Sequence, residues 1–320
     1  GGRVINDVER ALHNRVERAT LHLNRDIGRA DELARRAESK LRDREMPVEL
    51  GRALLVRSAA SYWQGDRAAA DAILGELETL VDGLDDDRLR GRVAYQRSYL
   101  AVEDGRLEES EASIDRAAEA FRRAGDPGWR WRAELRRFPL YVARDDFETF
   151  RAEARELLAQ ADRAGNTLLE AVAHHFLGRA HLREERWERA AEHLDRAIEF
   201  YRRIGDEQDL AKARLGRTEA ALHVGDFAAA AAQIDRLGGL LDAGGFGRLE
   251  LHLDLLRAWL AAARRQWQKW DAAVDRIAER AETLDQRRET FARIAERAAD
   301  LADDAGEGAR AAEIRAALEA

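Results

Sequence analysis

Cysteine is absent from the 320 residues. That removes disulfides, thiolate metal sites and cysteine nucleophiles from consideration together. Proline occurs three times, as Pro47, Pro127 and Pro139, so long helices meet few obstacles. No apolar run approaches the ~18 residues needed to cross a bilayer, and no secretory leader is recognisable; we expect a cytoplasmic protein with no membrane partner. Lysine is nearly missing: of 54 basic side chains only Lys40, Lys212 and Lys269 are lysines. The formal charge is −8 with the signs interleaved, which speaks against a general nucleic-acid binder. GxxxxGK[ST], HExxH and GxSxG do not occur, so none of these mechanistic motifs points to an active site. We expect no enzyme, no cofactor and no metal in this segment. Residues 244–247, GGFG, follow no strand and are not a dinucleotide loop. The chain opens on Gly-Gly and its single methionine is Met46, from which we expect further sequence upstream.

What is abundant is alanine, leucine, arginine and glutamate, all good helix formers. They recur with a period of 40. Residues 51–66 read GRALLVRSAASYWQGD and residues 91–106 read GRVAYQRSYLAVEDGR. With units starting at residues 51, 91, 131, 171, 211, 251 and 291, position 7 is Arg57, Arg97, Arg137, Leu177, Arg217, Arg257 and Arg297. Position 15 is Gly65, Gly105, Asp145, Glu185, Gly225, Arg265 and Ala305, mostly residues that suit a break between helices. Positions 1, 5, 8 and 12 form the stripe of an amphipathic helix, as in Ala211, Leu215, Thr218 and Leu222. Positions 3 and 10 are also apolar in the first six units, on the other side of the wheel. A helix apolar on two sides is packed on two sides, which is the arrangement of stacked hairpins. Gly125-Asp126, Gly165-Asn166 and Gly205-Asp206 end the second helix of their units. Gly238-Gly239 and Gly244-Gly245 are read as flanking the end of the second helix in unit five, a weak point or hinge.

Leu177-Gly178 followed by Ala190, Leu194 and Ala197 resembles the tetratricopeptide repeat (TPR), in the longer 40-residue form of bacterial signal-responsive regulators and of arrays linked to kinase or NTPase modules. The resemblance covers about 47–320 and implies an all-α, right-handed α-solenoid of about seven helix-turn-helix hairpins. Residues 1–46 read as a degenerate helical pair, a cap or a linker from a missing upstream domain.

The resemblance also implies that positions 2, 5, 9, 12 and 13 of the first helix line a concave groove. Arg52, Arg92, Tyr95, Tyr99, Arg132, Leu135, Arg179, Arg183, Lys212 and Trp259 then form the groove-binding set. Arginine with aromatics favours carboxylate- or phosphate-bearing partners, so the expected partner is a protein or peptide, such as an acidic or C-terminal segment. The carboxylate clamp of chaperone-binding TPR domains is not carried over, because no asparagine stands at such a position. The competing reading is an intramolecular regulatory module that restrains or activates an upstream enzyme domain, with a small-molecule effector as a variant.

Position 7 lies about 140° around the helix from position 2, away from the groove. Its arginines Arg57, Arg97, Arg137, Arg217, Arg257 and Arg297 read as a structural ladder, pairing with aspartates at position 25 such as Asp115, Asp195, Asp235 and Asp275. His174 and His181, seven residues apart, are too distant for shared ligation, so His174, His175, His181 and His193 read as packed or surface side chains. PGWRWRAELRRF at 127–138 is a basic-aromatic cluster. Such clusters bind single strands, but hairpin packing is the better reading in an acidic chain.

Overall fold

Short polar side chains start many of the helices. Asn6, Asp26, Asp66, Asp86, Asp126, Asp146, Asn166 and Asp206 each accept a hydrogen bond from the backbone N–H three residues on, which satisfies a donor the helix itself leaves open. Left-handed residues stop them: Gly65, Gly105, Gly125, Gly165, Gly205 and Gly225 all have positive φ. The structure, a computed structural model, describes residues 6–144, 146–241, 246–283 and 289–319. All regular structure among them is helical. The elements are α1 (Asp7–His22), α2 (Ile27–Leu41), α3 (Pro47–Gln64), α4 (Arg67–Asp82), α5 (Asp87–Glu103), α6 (Leu107–Arg123), α7 (Pro127–Leu135), α8 (Phe138–Arg144), α9 (Phe147–Ala164), α10 (Thr167–Arg183), α11 (Trp187–Ile204), α12 (Glu207–His223), α13 (Phe227–Leu241), α14 (Gly247–Ala263), α15 (Trp267–Thr283), α16 (Glu289–Asp304) and α17 (Gly308–Glu319). No helix among the described residues is long and apolar enough to cross a membrane.

Contacts divide the chain into one unit up to Leu140 and a second from Tyr141. Within each, most successive helices pack as hairpins whose second helix packs on the first helix of the next, as α4 does on α5 and α11 on α12; towards the end α14 packs on α16 and α15 on α17. The first helices are buried on two sides: in α12, Ala211, Leu215, Thr218 and Leu222 are buried, and so are Ala213 and Ala220. Position 8 is small because the second helix of the hairpin comes close there. The Ser58 hydroxyl donates to the Ala70 carbonyl at 2.9 Å. A Cβ on Gly178 would lie 2.6 Å from Leu194 Cγ and 3.3 Å from the Ala190 oxygen, which accounts for the Leu-Gly and Ala-Leu pattern.

One local expectation is corrected. The first helix of the third unit is not continuous: it breaks into α7 and α8 at Arg136-Arg137. Pro139 has no N–H to donate to Leu135 and its ring crowds that carbonyl. Gly238 and Gly239 lie in the last turn of α13, just before its end at Leu241, and Arg257 packs where a Gly238 side chain would stand. Gly244-Gly245 and Asp145 lie outside the described residues.

Candidate recognition site

Two turns of α5, and two of α7 with the residue that follows it, carry the groups that converge. Arg92, Tyr95 and Tyr99 follow one another at i, i+3 and i+7 and so share a face of α5. Trp129, Arg132 and Arg136 repeat the spacing along α7 and the turn that ends it. The Asp126 carboxylate, accepting from Trp129 N–H at 3.1 Å, starts α7 early enough to bring Trp129 against α5. Trp129 meets the Tyr95 ring edge-on at 5.4 Å, Tyr95 meets Tyr99 at 5.3 Å, and Tyr99 meets Tyr62 of α3 at 5.2 Å. The Tyr95 and Tyr99 hydroxyls are 3.2 Å apart. Aromatic rings therefore run in an unbroken row across α3, α5 and α7.

Guanidinium groups cover this row. Arg92 Cζ stands 4.0 Å from the Trp129 centroid, Arg132 Cζ 5.4 Å from the same ring, and Arg136 Cζ 3.7 Å from Tyr99, all within cation–π range. Among the described residues neither Arg92 nor Arg136 makes an ion pair, and Arg136 Nε is buried without a hydrogen-bond partner. The arginines around them are paired: Arg88 with Asp126 at 3.2 Å, Arg90 with Asp87 at 3.0 Å, and Arg52 with Glu17 at 3.2 Å and Asp86 at 3.8 Å. Burial pushes the Arg92 guanidinium down to about 10, and the Arg132 and Arg88 charges push the same way. Burial holds the Tyr95 phenol well above its ordinary value. Both groups keep their protons at neutral pH, so the site is a cationic, hydrogen-donating surface suited to anions.

The other groove candidates are placed differently. Leu135 is 2% exposed and Trp259 3% exposed, and both are core side chains; Arg136 is itself only 7% exposed. Trp259 packs edge-on against His223, which stacks on Trp187 at 3.6 Å. Lys212 is held by Asp209 at 2.7 Å and Gln208 at 3.2 Å on its own helix. Arg179 covers Phe176, also on its own helix, and Arg183 is half-buried. Trp129 and Arg136 complete the site beyond the TPR-derived positions. Their signal was the basic-aromatic run at 127–138.

The position-7 arginines reach back to acids on the preceding second helix. Arg57 meets Glu38 at 2.5 Å and Asp31 at 3.7 Å of α2. Arg97 meets Asp71 at 2.5 Å and takes both Glu78 oxygens, at 2.9 and 2.6 Å, on α4. Arg137 pairs with Asp115 of α6, and Arg217 with Asp195 of α11 at 3.0 Å. These acids occupy positions 21, 25 and 28, one face of a helix, so the partner slides by a turn from joint to joint. Where Leu177 replaces the arginine, Arg155 stands at position 25 of the preceding unit, so neither member of the pair is present at that joint. Arg257 pairs on its own helix with Asp254, which is fully buried and also held by Arg276 and Arg280. Arg297 is exposed and makes no ion pair among the described residues.

The histidines of α10 and α11 do cluster. His174 and His193 share a hydrogen bond between their Nδ1 atoms at 2.9 Å, and His181 stacks on His193 at 5.5 Å. No group of three metal-ligating side chains with workable geometry occurs among the described residues.

No known protein family matches this sequence, and no curated protein matches it. Solved structures do. A Rap protein complexed with Competence and Sporulation Factor aligns at TM-score 0.67 with 11% identity, covering 97% of each chain. Aspartyl phosphate phosphatase F from Bacillus subtilis aligns at 0.62 with 11% identity, over 100% of this chain and 95% of that one. The apo form of RapI aligns at 0.59 with 13% identity, over 83% and 95%. At such identities the likeness establishes the fold, a TPR-like helical repeat.

Proposed function

We propose that this chain, a TPR-like helical-repeat protein in fold, is a protein- or peptide-binding scaffold or sensor region that takes an acidic partner segment on the shared face of α5 and α7. One observation carries the reading. Arg92, half-buried, and Arg136, buried, lie on Trp129 and Tyr99 and neither makes an ion pair among the described residues. Charges removed from water are ordinarily paired. A partner carboxylate would supply the missing charge, with the aromatic row as an apolar floor beside it. A structural neighbour solved together with Competence and Sporulation Factor supports the reading to the extent that the same fold accommodates a partner. Another neighbour is named a phosphatase; the Arg and Tyr groups of this site offer no nucleophile or base at neutral pH, and we assign it binding alone.

Selection from a random displayed-peptide library tests this. The wild-type chain is expected to enrich acidic peptides that lose binding to Arg92→Ala and Arg136→Ala proteins of unchanged helicity. Enriched peptides that bind the variants as well as the wild type would remove the site from the function.

A further inference from the structure

The last hairpin departs from the stacking of the others, and one ion pair shows where its first helix goes. Elsewhere a first helix packs more on the second helix before it than on the previous first helix, as α12 does on α11 more than on α10. For α16 the preference is reversed: it packs on α14, while α15 packs on α17. From α16 the Arg293 guanidinium donates to the Glu219 carboxylate of α12, 74 residues earlier, and so reaches past α14. Phe291, 4% exposed, meets the His252 ring of α14 at 5.7 Å, edge-on. A helix that touches both α12 and α14 lies on the face those two share. Glu219 is position 9 of unit five and His252 position 2 of unit six, two of the positions that the TPR resemblance turns toward the groove. Glu219 is nevertheless 3% exposed, a burial that a groove side chain acquires when something covers it.

The cover is held loosely for its size. Arg293 Nε and His252 Nε2 are buried with no hydrogen-bond partner among the described residues, and buried polar groups left unpaired cost free energy that apolar packing must offset. Burial, with the Arg293 and Arg179 charges beside it, keeps the His252 ring neutral. Besides Phe291 and Ile294, the buried apolar residues of α16 are the alanines Ala295, Ala298, Ala299 and Ala302, which bury little area each. We propose that α16 is an internal occupant of the groove at units five and six, latched by the Arg293–Glu219 pair, and that it opens together with α17 while α9–α12 stay folded. A partner segment reaches Glu219 and His252 only once α16 has left, so the latch is an autoinhibitory contact. The device lies in the unit that begins at Tyr141 and is independent of the acidic-partner surface on α5 and α7.

Hydrogen exchange read by mass spectrometry on the full chain tests the opening. Peptides from α16 and α17 are expected to exchange about tenfold or more faster in Arg293→Gln than in the wild type, with those from α9–α11 unchanged. Glu219→Gln is expected to do the same from the other side of the latch, and either variant suffices if the other fails to fold. A labelled synthetic peptide of the α16 sequence, Glu289–Asp304, then tests the groove by fluorescence anisotropy. It is expected to bind the Arg293→Gln chain, which keeps Glu219 and has lost its own latch, about tenfold or more tightly than it binds the wild type. The Glu219→Gln chain, which opens but lacks the acceptor, is expected to show no such gain, nor is the peptide carrying Arg293→Gln. Exchange in α16 that stays as slow as in α14 in both variants would overturn the opening. Faster exchange together with equal peptide binding by all three chains would overturn α16 as the occupant of the groove.

Discussion

Glu185 and Arg265 hold φ of 57° and 53° at the turn position where Gly65, Gly105 and Gly225 stand in other units. The turn between paired helices dictates this conformation whatever residue the repeat supplies, and a side chain there meets the steric penalty of left-handed backbone. Replacing Arg265 by Gly is therefore expected to stabilise the chain by about 0.5–1 kcal/mol, the relief of strain less the larger entropy of an unfolded glycine. A rise in the urea midpoint with an unchanged slope would show it, and a fall would mean that Arg265 makes compensating contacts. Glycine has a different task at 178. With Leu194 Cγ 2.6 Å from a built Cβ and the Ala190 carbonyl behind it, Gly178→Ala overpacks the hairpin and is expected to cost about 1–3 kcal/mol. Gly75, in α4 with nothing within 4 Å of a Cβ, is the control: Gly75→Ala is expected to stabilise by about 0.5–1 kcal/mol. The contrast between the two substitutions reads close helix approach directly, because the change in composition is the same.

At the scale of the element, the joint between a second helix and the next first helix decides which arginines matter. Arg97 is 9% exposed and bonds Asp71 and both oxygens of Glu78. Arg137 makes one pair, with an exposed Asp115. Arg97→Leu is expected to lower stability by about 1–2 kcal/mol and Arg137→Leu by less than about 1 kcal/mol. Thermal unfolding at low and high salt would check both, with the Arg137 effect the more salt-sensitive of the two. Equal losses would mean that the arginine stems, packed alike, outweigh the charges. The 40-residue period was legible because backbone demands repeat: left-handed turns, small position 8 and two-sided burial each recur in kind. The partners of the ladder were only partly legible. Acids at positions 21, 25 and 28 serve the same face, and a fixed column such as 25 finds Asp115 and Asp195 while missing Asp31, Glu38, Asp71 and Glu78. The break at Pro139 was visible as a proline, but its consequence, that Arg136 leaves the helix and lies on Tyr99, depends on a neighbouring helix. Leu135 and Trp259 were misplaced for a related reason. Position on the helical wheel does not say how far adjacent hairpins close over a face.

Among the described residues many arginines are paired with carboxylates, and the titration behaviour near neutral pH is set by the buried histidines. Five histidines, all in the unit that begins at Tyr141, are held neutral. Burial brings His174, His181 and His223 to about 4 and His252 to about 3, and lowers His193 as well. Nearby arginine charges, and for His174 and His181 the His193 ring, act in the same direction. The Nδ1–Nδ1 hydrogen bond between His174 and His193 needs one nitrogen without a proton, so protonating both rings sets two N–H groups against each other. The unfolded chain has no such restriction and protonates its histidines near 6.5. Below that value unfolding takes up protons that the folded state refuses. The histidine contribution is thus complete above about pH 7.5, begins to be lost near 6.5 and goes on falling toward 4. Carboxylates held low by arginine, such as Glu76 and Asp271, lose their contribution only below the ordinary carboxylate range, so the interval from about 6.5 to 4.5 belongs to the histidines. Calorimetry at pH 7.5, 6.5 and 5.5 is expected to show a small fall in melting temperature over the first step and a larger one over the second. A His174→Gln, His193→Gln chain is expected to fall less, since two of the five proton-refusing rings are gone. A melting temperature that stays level to pH 5.5 in the wild type would mean that these rings reach water more freely than their packing against Phe200, Trp187 and Phe291 implies.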